Sequence, residues 1–213
     1  NPGIVGSLVD GPNYSSLTDT DTITWTASTD VGPAGISHYE LAVGTSAGGE
    51  QALAYKNITN VTSHQETGLT LVNGTTYYAS IRAVDNAGNI GTIVQGDGWV
   101  VDTTAPTPTS ISIAAAATYT NDATPDLTLA ATGATQMYIT NTATCSAGGS
   151  WITYSTSSTA WPLGQTNNTA TVYVKFRDAA LNESACINDT IVHDNTAPTV
   201  TTLSIDGGAV DTN

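Results

Sequence analysis

The chain has 213 residues, with 4 Lys or Arg against 18 Asp or Glu, so its formal net charge is 4 − 18 = −14. So few cations cannot neutralise a phosphate backbone or an anionic membrane surface, which excludes nucleic acid and such membranes as partners. No apolar run approaches the roughly 18 residues of a spanning helix, so we expect no direct membrane insertion. Charged residues are scarce, at 10%, and strand and turn formers replace them, which predicts an all-β protein.

Short segments of alternating apolar residues fill the first hundred residues. Segment 22–26 alternates around Trp25, and segment 38–44 alternates in the same way. A Trp strand, a Tyr strand and the pattern Leu-x-x-Gly-x-x-Tyr over 71–77 resemble the fibronectin type III module. The resemblance implies one β-sandwich over residues 1–104, with Tyr77 as its tyrosine corner.

The second half of the chain contains an internal repeat. A shift of 92 residues places Asp102–Thr107 on Asp194–Thr199, and both segments read Asp-x-Thr-Ala-Pro-Thr. This match predicts a second module over residues 105–195. Residues 196–213 are then the truncated start of a third repeat, with its first strand.

The last strand segment of the second module supports this division. Residues 172, 174 and 176 are apolar and alternate with polar neighbours, which predicts a half-buried strand. The segment 171–184 and the Asp-x-Thr-Ala-Pro linkers resemble the immunoglobulin-like repeats of large bacterial surface proteins. Such repeats usually have Gly where this chain has Leu181. The predicted fold class is therefore two tandem immunoglobulin-like or fibronectin type III-like β-sandwiches.

Cys145 and Cys186 lie in the same predicted module and outside any zinc-binding spacing. A secreted context favours a disulfide between them. Standard sandwich topology, however, sets them near opposite ends of the sheet, too far apart for Cα atoms that must lie within about 7 Å. A folded-back segment 141–151 would bring them together, and two free thiols are the alternative.

Catalytic patterns are absent from the sequence. His38, His64 and His193 have no neighbouring Cys, Glu-x-x-His or Gly-x-Ser-x-Gly context. We therefore expect no enzymatic activity and no required cofactor.

Acidic and amide residues recur at predicted turns and linkers. In a sandwich of this type, Asp178 and Asn182 should approach the linker at Asp102, where their oxygens could hold calcium. The full candidate set for metal sites at module junctions is Asp85, Asn89, Asp102, Asp178, Asn182 and Asp194. The alternative is that these residues only form turns and end strands.

Four tryptophans divide into two predicted groups. Trp25 and Trp161 are flanked by alternating residues and should lie in the cores. Trp99 and Trp151 begin predicted strands, and an exposed ring there could bind a glycan or protein ligand.

These features favour non-catalytic extracellular modules that form the stalk or spacer of a bacterial surface adhesin or fibre. The expected location is the cell surface, and the expected partners are neighbouring repeats of the same chain. One alternative is a recognition module for a surface glycan or protein. Another is an accessory domain of a secreted hydrolase.

Overall fold

A computed structural model describes residues 1–201. Residues 202–213, which hold most of the predicted first strand of a third repeat, lie outside the described residues. The described chain is all-β, as predicted, with two short 3₁₀ turns. None of the helical segments within residues 1–201 has the length and apolar character needed to cross a membrane.

Two compact units can be distinguished. The first contains residues 1–108, 131–137 and 176–185, and the second contains residues 109–130, 138–175 and those from 186 onward. Several strands run from one of these ranges into the next.

Nine strands lie within residues 1–101. They are β1 (Leu8–Val9), β2 (Tyr14–Ser15), β3 (Ile23–Trp25), β4 (Ile36–Gly44), β5 (Leu53–Asn57), β6 (Ser63–His64), β7 (Thr76–Asp85), β8 (Val94–Gln95) and β9 (Trp99–Val101). One sheet has the strand order β1-β3-β6, and the other has the order β2-β9-β7-β4-β5, with β8 also paired to β7. The two sheets contribute to one hydrophobic core, which makes this part a β-sandwich.

Aromatic residues fill this first core. The Trp25 ring packs edge-on against Tyr39, with 5.5 Å between ring centroids, and Trp25 is 5% exposed, as predicted. The Tyr77 hydroxyl oxygen accepts a hydrogen bond from the backbone N–H of Val72 at 3.1 Å. A tyrosine bound to the backbone a few residues upstream is the tyrosine corner, so that prediction is confirmed.

The remaining strands form a second pair of sheets. They are β10 (Thr107–Ile113), β11 (Tyr119–Thr120), β12 (Leu127–Thr132), β13 (Gln136–Thr140), β14 (Trp151–Thr153), β15 (Ser157–Ser158), β16 (Asn168–Arg177) and β17 (Ile187–His193), with 3₁₀ turns at Ala114–Ala116 and Ala143–Cys145. The sheet orders are β10-β12-β15 and β11-β17-β16-β13-β14. The inward residues of β16 are fully buried, which confirms the predicted alternation.

The predicted disulfide between Cys145 and Cys186 is present, with 5.9 Å between the Cα atoms. The 3₁₀ turn at Ala143–Cys145 folds the segment between β13 and β14 back, so that Cys145 meets the residue preceding β17. Closing a loop of 41 residues stabilises the fold by about 4 kcal/mol if chain entropy dominates.

One core prediction for this half of the chain is wrong. Trp161 is only half-buried, and its indole N–H donates to the Asn141 side-chain oxygen at 2.9 Å. Trp161 lies outside the regular strands, so the alternation that suggested burial does not apply there.

Candidate functional site

The first notable loop follows β7 and runs from Asp85 to Asn89. Asp85 is 3% exposed, and its carboxylate accepts the backbone N–H of Ala87 at 2.9 Å and of Asn89 at 2.8 Å. Its other oxygen accepts the Asn89 side-chain amide at 2.8 Å. A short aspartate side chain can bond the N–H groups that follow it, which is why Asp nucleates a tight loop here.

These hydrogen bonds also affect the acidity of Asp85. The Asn89 side-chain amide, followed by backbone N–H groups of the loop, holds the pKa of Asp85 below its ordinary value of 3.8, although burial acts in the opposite direction. Hydrogen bonds to the charged form favour ionisation. Asp85 is therefore held as a carboxylate by its own loop.

The second loop follows β16, from Asp178 to Asn182, and repeats this geometry 93 residues later. Asp178 is 5% exposed, and its carboxylate accepts the Asn182 backbone N–H at 2.9 Å and its side-chain amide at 3.0 Å. Gly88 and Leu181 occupy equivalent positions, with φ of 82° and 66°. Each donates its N–H to the carbonyl of the loop's aspartate.

The second loop makes one further contact. The Asn182 amide also donates to the main-chain carbonyl oxygen of Asp102 at 2.7 Å. Both groups belong to the first compact unit. Within residues 1–201, the equivalent Asn89 side-chain amide donates to Asp85 alone. Asn182 thus binds the linker, whereas Asn89, over the same residues, binds only its own loop.

The two Asp-x-Thr-Ala-Pro linkers share one local geometry. The Asp102 N–H donates to the Ser15 carbonyl, and the Asp194 N–H donates to the Thr120 carbonyl, at 2.8 and 2.9 Å. Each aspartate accepts, on Oδ1, the N–H two residues later. Asn73 and Asn167 accept the intervening N–H on their side-chain oxygens, both at 2.9 Å. Sequence patterns did not single out these two asparagines, although each lies just before the longest strand of its half, β7 or β16.

The structure therefore brings some of the predicted metal-site residues together. The Asn182 amide contacts both Asp178 and the main-chain carbonyl of Asp102. The Asn89 amide contacts Asp85, and Asp194 lies in the second linker. Asn182 presents its amide N–H₂ rather than its oxygen, and both Asp178 oxygens already accept hydrogen bonds. Among residues 1–201, no three carboxylate, histidine or cysteine side chains are grouped as metal ligands.

Calcium prefers six to eight oxygen ligands, so the Asn182 and Asp178 side chains as placed do not suit it. These side chains would have to rearrange before a cation could bind. Calcium binding at the loops can be tested by titration.

The two tryptophans predicted to bind a ligand lie in different environments. Trp99 is 1% exposed and packs against Tyr77, with 6.2 Å between centroids. A ring so buried cannot contact a ligand, which corrects the prediction for Trp99. Trp151 is half-buried, 5.5 Å from the Tyr138 ring, and the Lys175 ammonium lies 5.3 Å from both ring centroids.

The three histidines have structural neighbours. His64 lies 3.1 Å from the Glu66 carboxylate, and His38 lies 3.8 Å from that of Glu40. His193 is fully buried, and its Nδ1 is 2.7 Å from the Gln165 carbonyl oxygen. Glu66, which also binds Lys56 at 2.7 Å, has a pKa below its ordinary value: desolvation raises it, but the hydrogen bonds from Lys56 and His64 prevail.

Neither a protein-family model nor a curated protein sequence matches the chain. Among solved structures, it is similar to the FN1–FN3 domains of chicken CNTN1, with a TM-score of 0.56 and 15% identity over 90% of this chain. The chain spans 66% of that structure. It is also similar to fibronectin(III)-like modules of Clostridium thermocellum CbhA, with a TM-score of 0.52 and 14% identity over 94% of this chain and 99% of that one. At such identities the likeness shows the fold alone, a fibronectin type III-like sandwich.

Proposed function

We propose that the chain is a pair of non-catalytic extracellular spacer modules from the stalk of a bacterial surface adhesin or fibre. The observation that carries the proposal is the Asn182 amide, which binds Asp178 and the linker carbonyl of Asp102 together. A linker whose backbone groups are hydrogen bonded has less conformational freedom than a free linker. Restricted linkers suit a chain that must hold a distance.

Two other features support an extracellular spacer. The Cys145–Cys186 disulfide is typical of proteins that fold in an oxidising compartment. The net charge of −14 disfavours non-specific self-association in a crowded surface layer. Neighbouring repeats of the same chain are the partners that this role implies.

A second candidate function is recognition of a glycan or protein. It is favoured by the cluster of Trp151, Tyr138 and Lys175, which combines two aromatic rings and a cation on adjacent strands β14, β13 and β16. A role as an accessory domain of a secreted hydrolase would require a catalytic domain elsewhere in the same protein.

The spacer role can be tested by displaying the chain between a cell-surface anchor and an unrelated binding tip. Capture of ligand-coated beads should be preserved when the chain is replaced by two unrelated fibronectin type III modules of equal length. Capture that requires this chain and no other would contradict a spacer role.

The recognition role is tested separately, without the tip. The chain alone is applied to arrayed glycans, beside Trp151→Ala and the control Tyr119→Ala, which changes an aromatic residue that is 70% exposed. The spacer role predicts no saturable binding. Binding that Trp151→Ala abolishes and Tyr119→Ala retains would favour recognition.

A further inference from the structure

The two linkers have the same backbone geometry but differ in what covers them. Pro106 of the first linker is buried, whereas the matching Pro198 of the second linker is exposed. Asp102 is half-buried, whereas Asp194 is exposed. The first linker is covered because two segments lie against it. These are the loop 178–182 and the backbone at Gly133, where a Cβ would lie 3.9 Å from the Pro106 Cα.

An open recess lies beside the second linker. It has a volume of about 340 Å³ and is lined by Asn121 and residues 194–198. Asn121 follows β11, as Ser16 follows β2, and both strands pair in parallel with the strand that leads into a linker. At the first linker, Ser16 and its neighbours share a lining with residues 179–181 of the second loop. The recess at the second linker is therefore the position that an Asp-to-Asn loop occupies at the first.

We propose that the recess lined by Asn121 and residues 194–198 docks the Asp-x-x-x-Asn loop of a β-sandwich module that follows it in the same chain. The asparagine of that loop donates its side-chain amide to the Asp194 carbonyl, as Asn182 does to Asp102. The proposal rests on the proposed spacer function in one respect, because it needs a following module.

The occupant is specified by the sequence match between the linkers. Asp194–Thr199 repeats Asp102–Thr107, and the match continues at Ser204-Ile205 and Thr212-Asn213. A second copy of the chain also carries such a loop, at Asp85–Asn89. One hydrogen bond and a small buried area make contact between separate chains weak, whereas a covalent linker raises the effective concentration to the millimolar range. The following module is therefore the favoured occupant.

The test extends the chain rather than cutting it. Residues 199–213 are replaced by a second copy of residues 107–195, so that a complete module with its own Asp178–Asn182 loop follows Pro198. The matched control carries Asn182→Ala in the added copy only. A second extension uses residues 4–104, whose loop is Asp85–Asn89, so that the test does not depend on the folding of a single graft.

The measurement is amide hydrogen exchange by NMR at Asn195 and Thr196, whose N–H groups bind Asn167 and Asp194. Docking should slow exchange roughly five-fold relative to the control extension, as expected for one hydrogen bond. Dispersed amide resonances show that the added module is folded. The exchange measurement does not involve adhesion. The docking proposal can therefore fail while the spacer role holds, and the spacer role can fail while docking is observed.

Three results would overturn the proposal. The first is unchanged exchange at Asn195 and Thr196 in extensions whose added modules are folded. The second is equal slowing with and without the asparagine amide. The third is concentration-dependent slowing in the unextended chain that Asn89→Ala abolishes, since this would assign the recess to a second copy.

Discussion

The loops at Asp85–Asn89 and Asp178–Asn182 are the same structure built from different sequences. They share only the aspartate, the central alanine and the asparagine, yet the aspartate accepts the same two groups of its asparagine in both. The position before the asparagine is Gly88 in one loop and Leu181 in the other, and both adopt positive φ. The aspartate and asparagine therefore specify the loop, and glycine only makes its conformation less costly.

What distinguishes the loops is the third contact of the asparagine. Asn182 reaches a linker carbonyl, whereas Asn89, in the described chain, donates only within its own loop. The local sequence determines the loop, and the chain that lies beside it determines whether the loop holds a linker.

Removing the aspartate of a loop should lower stability more than any other substitution considered. Asp178→Ala removes the acceptor of the partly buried N–H groups of Asn182, so we expect the free energy of unfolding to fall by about 2 to 3 kcal/mol. Urea unfolding followed by tryptophan fluorescence measures this change. Asp85→Ala should also destabilise, and Asp122→Ala, in an exposed turn, serves as the control. A loss for Asp178→Ala no greater than for the control would show that the carboxylate does not organise the loop.

Exchanging Gly88 and Leu181, the residues with positive φ, should change stability by a smaller amount and with opposite sign in the two loops. Leu181→Gly relieves an unfavourable conformation of a side chain that is 60% exposed, so a gain of about 0.5 to 1 kcal/mol is expected. A Cβ at Gly88 would meet no atom within 4 Å, so the expected loss of about 1 kcal/mol for Gly88→Leu comes from backbone strain. Thermal unfolding of both variants decides this, and the same sign for both would contradict the equivalence of the two positions.

The contribution of the linker contact to stability can be measured as the difference between the effects of two asparagine substitutions on the free energy of unfolding. Asn182→Ala removes bonds to Asp178 and Asp102, whereas Asn89→Ala removes only the bond to Asp85. We expect Asn182→Ala to be more destabilising by about 1 kcal/mol, the net value of one hydrogen bond. Amide exchange at Thr103 and Thr104 should accelerate only in Asn182→Ala. Equal effects of the two substitutions would mean that the linker contact contributes nothing.

Much of this arrangement follows from the sequence. The tyrosine corner at Tyr77 and the approach of Asp178 and Asn182 to Asp102 depend on strand order and spacing, which alternation and repeats reveal. The burial of Trp99 does not follow from the sequence. Strand β9 has three consecutive apolar residues, and nothing in the sequence selects which of them face inward. The direction of the Asn182 amide is also hidden, because it depends on a carbonyl 80 residues away.

The acidity of Asp85 offers a finer test of the first loop. Its pKa is lowered mainly by the Asn89 amide, so ionisation of Asp85 stabilises the fold above the ordinary pKa of 3.8, and that stabilisation is lost as pH falls through the lowered value. Asn89→Ala should raise the Asp85 pKa toward its ordinary value, as measured by carbon NMR titration of the side-chain carboxyl. Asn182→Ala is the control and should leave it unchanged.

Calcium should have the smallest effect on thermal stability. Both loops use their carboxylate oxygens as acceptors for N–H groups, and Asn182 directs its N–H₂ toward Asp178 and Asp102. A cation would have to replace those donors, while water and the remaining carbonyls supplied most of its six to eight ligands. We therefore expect millimolar calcium, or a chelator, to leave the melting temperature unchanged within about 1 °C. A larger rise with calcium that Asp178→Asn abolishes and Asp85→Asn retains would show that a cation and not the amide holds the linker in solution, so that the two loops differ in chemistry as well as in position.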